Sequence, residues 1–150
     1  MRVKEATVYG FGKWRDFSIS FDPQFNVISG RNEAGKSTLQ QFFLFILFGL
    51  PPKKREFYQP KTGGPMGGRL IVSAVVDERV IIERVHDKRN GEALCILSNG
   101  EERGEEFLSR LLSGLTRSAF ESIYTFNSED LLKLRSMTGE QLGMYCLISV

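Results

Sequence analysis

Gly30-Arg31-Asn32-Glu33-Ala34-Gly35-Lys36-Ser37, with Thr38 following, decides how this chain is read. The stretch satisfies the pattern G-x-x-x-x-G-K-[ST] at each fixed position. A loop that wraps a phosphate chain must turn successive backbone N–H groups inward. Glycine admits the dihedrals that this demands and that other residues resist. In such a loop Lys36 reaches the β/γ-phosphates and the Ser37 hydroxyl ligates Mg2+. The helix that starts there adds its positive N-terminal end. The competing reading is a glycine turn with an incidental lysine. Context favours the phosphate loop, which needs a strand before it and a helix after it. Phe25-Asn26-Val27-Ile28 is a short β-prone run, and Ser37 to Phe48 reads as a helix.

That helix is apolar almost all round after Gln40 and Gln41, which predicts burial on most sides. Gly49 and Pro51-Pro52 stop it. Upstream, Arg2 to Tyr9 reads as a strand and Gly10-Phe11-Gly12-Lys13 as a turn. Phe17, Ile19 and Phe21 alternate with serines as a half-buried strand, and residues 25–29 form a third strand entering the loop. Residues 51–68 read as a basic loop with Lys53, Lys54, Arg55 and Lys61 around Phe57 and Tyr58. A nucleic-acid contact fits that composition, but a solvated linker with two anchoring aromatics fits it better.

Downstream, Arg69–Val76 and Arg79–Val85 predict a hairpin turning on Asp77-Glu78. Ala93–Leu97 reads as a further strand between Asn90-Gly91 and Asn99-Gly100. Helices are expected over Glu105–Leu112, over Ser118–Ile123 and after Ser128, with Ile123–Phe126 extended. The fold class is therefore α/β: a mixed sheet around a central helix, with an antiparallel subsheet.

Bulk properties narrow the classes. With 150 residues, 41% hydrophobic and 25% charged, the chain suits one globular domain, expected to span residues 1–150. Phe occurs 12 times, mostly before residue 50, which predicts an aromatic core in that half. Residues 1–75 hold 11 Lys/Arg against 5 Asp/Glu, and residues 76–150 hold 9 against 13. A basic half suits a polyanionic partner, although ordinary surface variation gives the same asymmetry. Cys95 and Cys146 lie in no metal-ligand spacing, and His86 stands alone, so a reduced, cytoplasmic chain is expected. The N-terminus lacks a signal-peptide core, and no apolar run approaches the ~20 residues of a membrane span.

Nucleotide hydrolysis needs an acidic group beside the metal and one that positions water. Ala74-Val75-Val76-Asp77-Glu78 resembles an apolar strand ending in such a pair. Arg79-Val80-Ile81-Ile82 resumes at once, so a hairpin is preferred.

The segments Val8-Tyr9-Gly10-Phe11-Gly12-Lys13, Phe25-Asn26-Val27-Ile28-Ser29-Gly30, Asn32-Glu33-Ala34-Gly35-Lys36-Ser37 and Leu47-Phe48-Gly49 carry a resemblance. Together they resemble the N-terminal lobe of ABC-type ATPases that include SMC proteins, RecN, RecF and SbcC, within them the YhaN-like AAA family. The resemblance implies an ABC-ATPase head, a P-loop NTPase whose N-terminal lobe carries the phosphate loop. It implies a coiled coil beyond it and a C-terminal lobe supplying the signature and catalytic motifs. It further implies ATP and Mg2+ as cofactors, head-to-head dimerisation, DNA binding by the engaged heads and a metallophosphoesterase nuclease partner, in DNA double-strand-break repair or DNA metabolism. Nucleotide binding is implied for Gly12 and Lys13, near base and sugar, and for Gly30, Arg31, Asn32, Glu33, Ala34, Gly35, Lys36, Ser37 and Thr38. Family members place a Gln near Mg2+ and the γ-phosphate. Asn127 falls there and carries a shorter amide, so Ser37 and Asn127 are the implied metal ligands; a turn role for Asn127 stays open.

No heptad run or signature motif occurs before Val150, and 144–150 departs from the family, as an atypical tail. Half an ATP site is therefore expected, with little hydrolysis alone. Two alternatives stand beside it: a complete small P-loop kinase or NTPase using Asp77 and Glu78, and a non-enzymatic interaction module.

Overall fold

The computed structural model describes residues 1–24, 26, 28, 35–74 and 78–124. They fall into two compact units, 1–114 and the part beginning at Leu115. In the first, β1 (Arg2–Phe11) and β2 (Trp14–Ser20) form a hairpin, followed by α1 (Lys36–Phe48) and α2 (Pro52–Tyr58). Then come β3 (Gly67–Ser73), β4 (Arg79–Val85), β5 (Ala93–Leu97), β6 (Glu102–Arg103) and α3 (Glu105–Leu111). The second unit contributes α4 (Arg117–Tyr124).

The six strands make one sheet in the order β2-β1-β3-β4-β5-β6. Every pairing among the described strands is antiparallel. The strand expected over 25–29 lies mostly outside the described residues. Alternation decides which face is covered. Ala6 and Val8 of β1, Leu70 and Val72 of β3, and Val80 and Ile82 of β4 are buried. Their neighbours Thr7, Tyr9, Ile81 and Glu83 are less so, as the two-residue period of a strand requires.

Helix α1 crosses this sheet, and three successive turns show it. Thr38 lies at Gly12, beyond the end of β1. Phe42 lies on Gly68 of β3, where a Cβ would meet the phenyl ring and the Thr7 carbonyl. The Ile46 carbonyl meets Arg84 of β4. Leu39, Phe42, Leu44, Phe45, Ile46 and Leu47 are buried, which is the central helix expected from its composition. Phe11 packs edge-on to Phe42 at 5.6 Å and tilted against Phe45 at 5.4 Å, forming the aromatic core of the N-terminal half.

The hairpin expected across residues 69–85 forms, with Ser73 opposite Arg79. Its connection is longer than the two residues expected. The strands end at Ser73 and resume at Arg79, and Ala74 N–H donates to the Glu78 carbonyl at 2.8 Å. Glu78 sits at the wrong end of the sheet for a metal role. Arg2, Ser73 and Arg79 are neighbours in register, whereas Gly10 pairs with Gly67 at the end that leads to Gly12. Strand rise puts Glu78 roughly 20 Å from that end. Asp77 itself lies outside the described residues.

Two further expectations are corrected. Residues 52–58 form a helix rather than loop, because proline is compatible with the first turn of a helix and Lys53, Lys54, Arg55 and Glu56 are good helix formers. Ile123 and Tyr124 belong to α4 rather than to an extended segment. The Thr116 hydroxyl accepts the Ala119 N–H at 3.3 Å and opens that helix, and Arg117 pairs with Glu121 at 3.0 Å one turn on. Thr125, Phe126, the helix expected after Ser128 and the 144–150 tail lie outside the described residues.

On the other face of the sheet, the Tyr9 hydroxyl donates to a Glu83 carboxylate oxygen at 2.7 Å. Burial of the phenol and that hydrogen bond to Glu83 push its pKa up to about 12, against an opposing pull from Arg69. Above pH 10 an unfolded chain gives up this proton while the native one keeps it. The contribution of the contact is therefore whole below pH 10 and lost as pH climbs to about 12. Tyr9→Phe should flatten the fall in stability across that window, read from urea midpoints at stepped pH. Parallel curves for the two proteins would contradict it.

Candidate phosphate-binding site

Gly35 has φ 97° and ψ 15°, a left-handed conformation, and it caps the start of α1. Its carbonyl accepts the Leu39 N–H at 2.8 Å, the first bond of the helix. Lys36 and Ser37 follow it and are exposed. The first turn of α1 holds no acidic residue. Acids are favoured at a helix start because they answer the positive end of its dipole. Their absence beside an exposed Lys36 leaves that end suited to an anion.

The β1–β2 turn folds onto this helix start. A Cβ on Gly35 would stand 2.5 Å from Lys13 Cε and 2.8 Å from Trp14 Nε1. A Cβ on Gly12, where φ is +57°, would stand 2.9 Å from Thr38 Cγ2. Only two glycines let the turn and the helix approach this closely. The indole N–H of Trp14 donates to the Gly35 carbonyl at 3.2 Å. From the far side Tyr58 of α2 completes the cluster: its carbonyl accepts the Gly12 N–H at 2.7 Å, and its ring stacks on Phe11 at 4.8 Å and 12°.

Gly12, Lys13, Gly35, Lys36, Ser37 and Thr38 are thus gathered at one place, although 21 residues or more separate turn from helix. Gly30, Arg31, Asn32, Glu33, Ala34 and Asn127 lie outside the described residues. Sequence reading passes over Trp14, and it gives Tyr58 only as an anchoring aromatic of a linker. The indole directly after Gly12-Lys13 was the available signal, since it is the single tryptophan of the chain. The donor set fits a magnesium-bound polyphosphate: a lysine ammonium, a serine hydroxyl and helix-start amides, with no carboxylate in the first turn.

The opposite end of α1 is also answered by charge. The helix has no basic residue in its last turn. Arg84, only 4% exposed, reaches in from β4 instead. Its Nε donates to the Ile46 carbonyl at 3.0 Å, one terminal nitrogen to the Gly91 carbonyl at 2.8 Å and the other to Glu105 of α3 at 2.7 Å. The second Glu105 oxygen accepts the Ala93 N–H at 2.7 Å. Next to this clamp, burial pushes the Cys95 thiol up to about 11, with the Glu105 charge adding to the shift and Arg84 opposing it.

A solved structure described as "Structural biochemistry of ATP-driven dimerization and DNA stimulated activation of SMC ATPases" shares this fold. The TM-score is 0.64 at 20% identity, over 96% of each chain. The fold is therefore that of an SMC-type ATPase head, as an N-terminal ABC-ATPase lobe. Residues 1–141 match the AAA domain family, and the chain belongs to it. It is 33% identical to the uncharacterised protein YhaN of Bacillus subtilis over 152 residues, covering 99% of this chain and 15% of that protein. It is 29% identical to the DNA double-strand break repair Rad50 ATPase of Archaeoglobus fulgidus over 116 residues, 73% of this chain and 12% of the relative. The chain thus spans under a sixth of either relative. Among the described residues no helix is long and apolar enough to cross a membrane.

Proposed function

We propose that residues 1–150 act as the ATP-binding lobe of a cytoplasmic SMC/Rad50-type ATPase engaged in DNA repair or DNA metabolism. One observation carries this reading: the Gly12–Trp14 turn and the acid-free start of α1 converge on Gly35, with Lys36 and Ser37 exposed there. In this reading the backbone from Gly30 to Gly35 cradles the phosphates, and Arg31, Asn32, Glu33, Ala34 and Thr38 line the loop. Lys36 neutralises β/γ charge, and Gly12 and Lys13 face the base and sugar. Ser37 holds Mg2+, with Asn127 as a second ligand. Bound Mg2+ would supply charge neutralisation between the phosphates. The chain's own residues hold and orient the nucleotide, and no catalytic base is assigned among them.

Hydrolysis would then depend on a complementary lobe. The long remainder of YhaN and of the Rad50 ATPase, beyond the matched 15% and 12%, supports that dependence. By analogy with a fold relative described by ATP-driven dimerization and DNA stimulated activation, two engaged heads would bind DNA. A metallophosphoesterase nuclease is the partner that fits such a head. The kinase alternative, which needs Asp77 and Glu78 at the nucleotide, is disfavoured by the place of Glu78 at the far end of the sheet.

Titrating the purified chain with Mg-ATP, followed through the fluorescence of its one tryptophan, should give saturable binding with turnover near background. Steady turnover that disappears in Lys36→Ala would refute the dependence on another lobe. Absence of any binding would refute the site.

A further inference from the structure

Trp14 is half-buried and lies tilted against Phe17 of the same strand, ring centres 4.4 Å apart. Phe17 therefore fixes the indole plane, and the indole has one polar atom to spend, its N–H. That atom meets the Gly35 carbonyl at 3.2 Å. The same carbonyl already accepts the Leu39 N–H at 2.8 Å, so it points along α1 and carries two donors. The described chain contains no cis peptide. In a planar trans peptide the Lys36 N–H must then point the opposite way, out of the N-terminal end of the helix. Whatever fixes the Gly35 carbonyl fixes the direction of the Lys36 amide hydrogen.

Gly35 makes such a hold useful. Its left-handed conformation is one of several open to a glycine, and rotation of the 35–36 peptide meets little resistance from a residue without Cβ. The Leu39 bond already limits that freedom, and a second donor on the same carbonyl limits it further. It also withdraws electron density through the amide, which makes the Lys36 N–H a better donor.

We propose that Trp14 is a positioning residue of the phosphate loop: through its indole N–H and the Gly35 carbonyl, it aims the Lys36 amide hydrogen at the anion. The proposal rests on the phosphate-binding reading of the loop. Trp14 does not itself touch the nucleotide in this arrangement, and it differs in this from Gly12 and Lys13, assigned to base and sugar.

The test replaces Trp14 in the full chain by the benzothiophene analogue of tryptophan, which keeps the bicyclic ring and removes only the N–H. Trp14→Phe serves as a second variant that keeps a ring against Phe17. Two readouts are needed. In nucleotide-free protein the Lys36 amide cross-peak should move and its hydrogen exchange should quicken in both variants. By calorimetry, Mg-ATP should bind about three- to tenfold more weakly, the scale of one net hydrogen bond. Circular dichroism like that of the parent protein excludes a folding defect in the benzothiophene variant. An unmoved Lys36 signal, or a moved signal with unchanged affinity, overturns the proposal. If the parent protein binds no Mg-ATP, the phosphate reading falls, and the aim assigned to Trp14 falls with it. A Lys36 signal that moves in that case leaves only a structural hydrogen bond.

Discussion

Arg84→Ala should lower the stability of the chain by about 3 kcal/mol, a large part of the 5–15 kcal/mol typical of a folded domain. The magnitude follows from what the guanidinium leaves behind. It satisfies the Ile46 and Gly91 carbonyls and a Glu105 oxygen at once, from a position 4% exposed. A buried acceptor stripped of its donor costs about 1–3 kcal/mol. The Glu105 side chain is 42% exposed and can take up water, so its share of the loss is discounted. The Ile46 carbonyl, in a buried contact, cannot follow it, and the part-buried Gly91 carbonyl follows it only in part. Removal also uncovers the negative end of α1, which has no basic residue of its own in the last turn. A thermal midpoint roughly 6–12 °C below that of the parent would express the loss. Arg84→Lys should recover only part of it, because an ammonium cannot serve three acceptors in the plane of a guanidinium. An Arg84→Ala midpoint within about 2 °C of the parent would show that the clamp contributes nothing.

Arg84 also shows where sequence reading stops. Its Val and Ile content placed β4 correctly, but nothing in Arg79-Val80-Ile81-Ile82-Glu83-Arg84-Val85 says that its second arginine is buried. Two of its acceptors are main-chain carbonyls, and its carboxylate partner stands 21 residues away. Such contacts arise only once α1 has been laid across the strands. The same holds for Trp14 and Gly35, also 21 residues apart. What was legible depended on local pattern: the apolar run of α1, the period of two in β2, and the Val/Ile-rich arms of the β3–β4 hairpin. The phosphate-loop pattern and the Gly12-Lys13 turn were both legible as motifs, but their meeting is a tertiary fact. Even local reading erred where one residue type has two uses. Pro52 reads as a helix stop after α1, and it also opens α2. Gly67 and Gly68 read as loop by composition. They belong to β3, because Phe42 and the neighbouring strands approach too closely for a side chain at Gly68.

Lys36→Ala should weaken Mg-ATP binding by roughly 30- to 5,000-fold without destabilising the fold, on the phosphate-binding reading proposed above. The affinity term comes from removing one partner of a charge-assisted contact to a phosphate, about 2–5 kcal/mol when that contact is shielded from water. The stability term has the opposite sign. Lys36 is exposed on the first turn of α1, and alanine is the strongest helix former. A cation at a helix N-terminus also opposes the dipole, so its loss is neutral or mildly favourable there. The two measurements therefore separate binding from folding. Calorimetric titration should show the lost affinity, while the thermal midpoint should hold or rise slightly. Lys36→Arg keeps the charge but exchanges a compact ammonium for a planar fork, and it should bind less well than the parent. Ser37→Ala completes the comparison. If Ser37 holds Mg2+, its loss should abolish the difference between Mg-ATP and ATP in chelator, whereas Lys36→Ala should weaken both. Equal affinities for Mg-ATP in the parent and in Lys36→Ala would remove the lysine from the site, and with it the reading of GRNEAGKS as a phosphate loop.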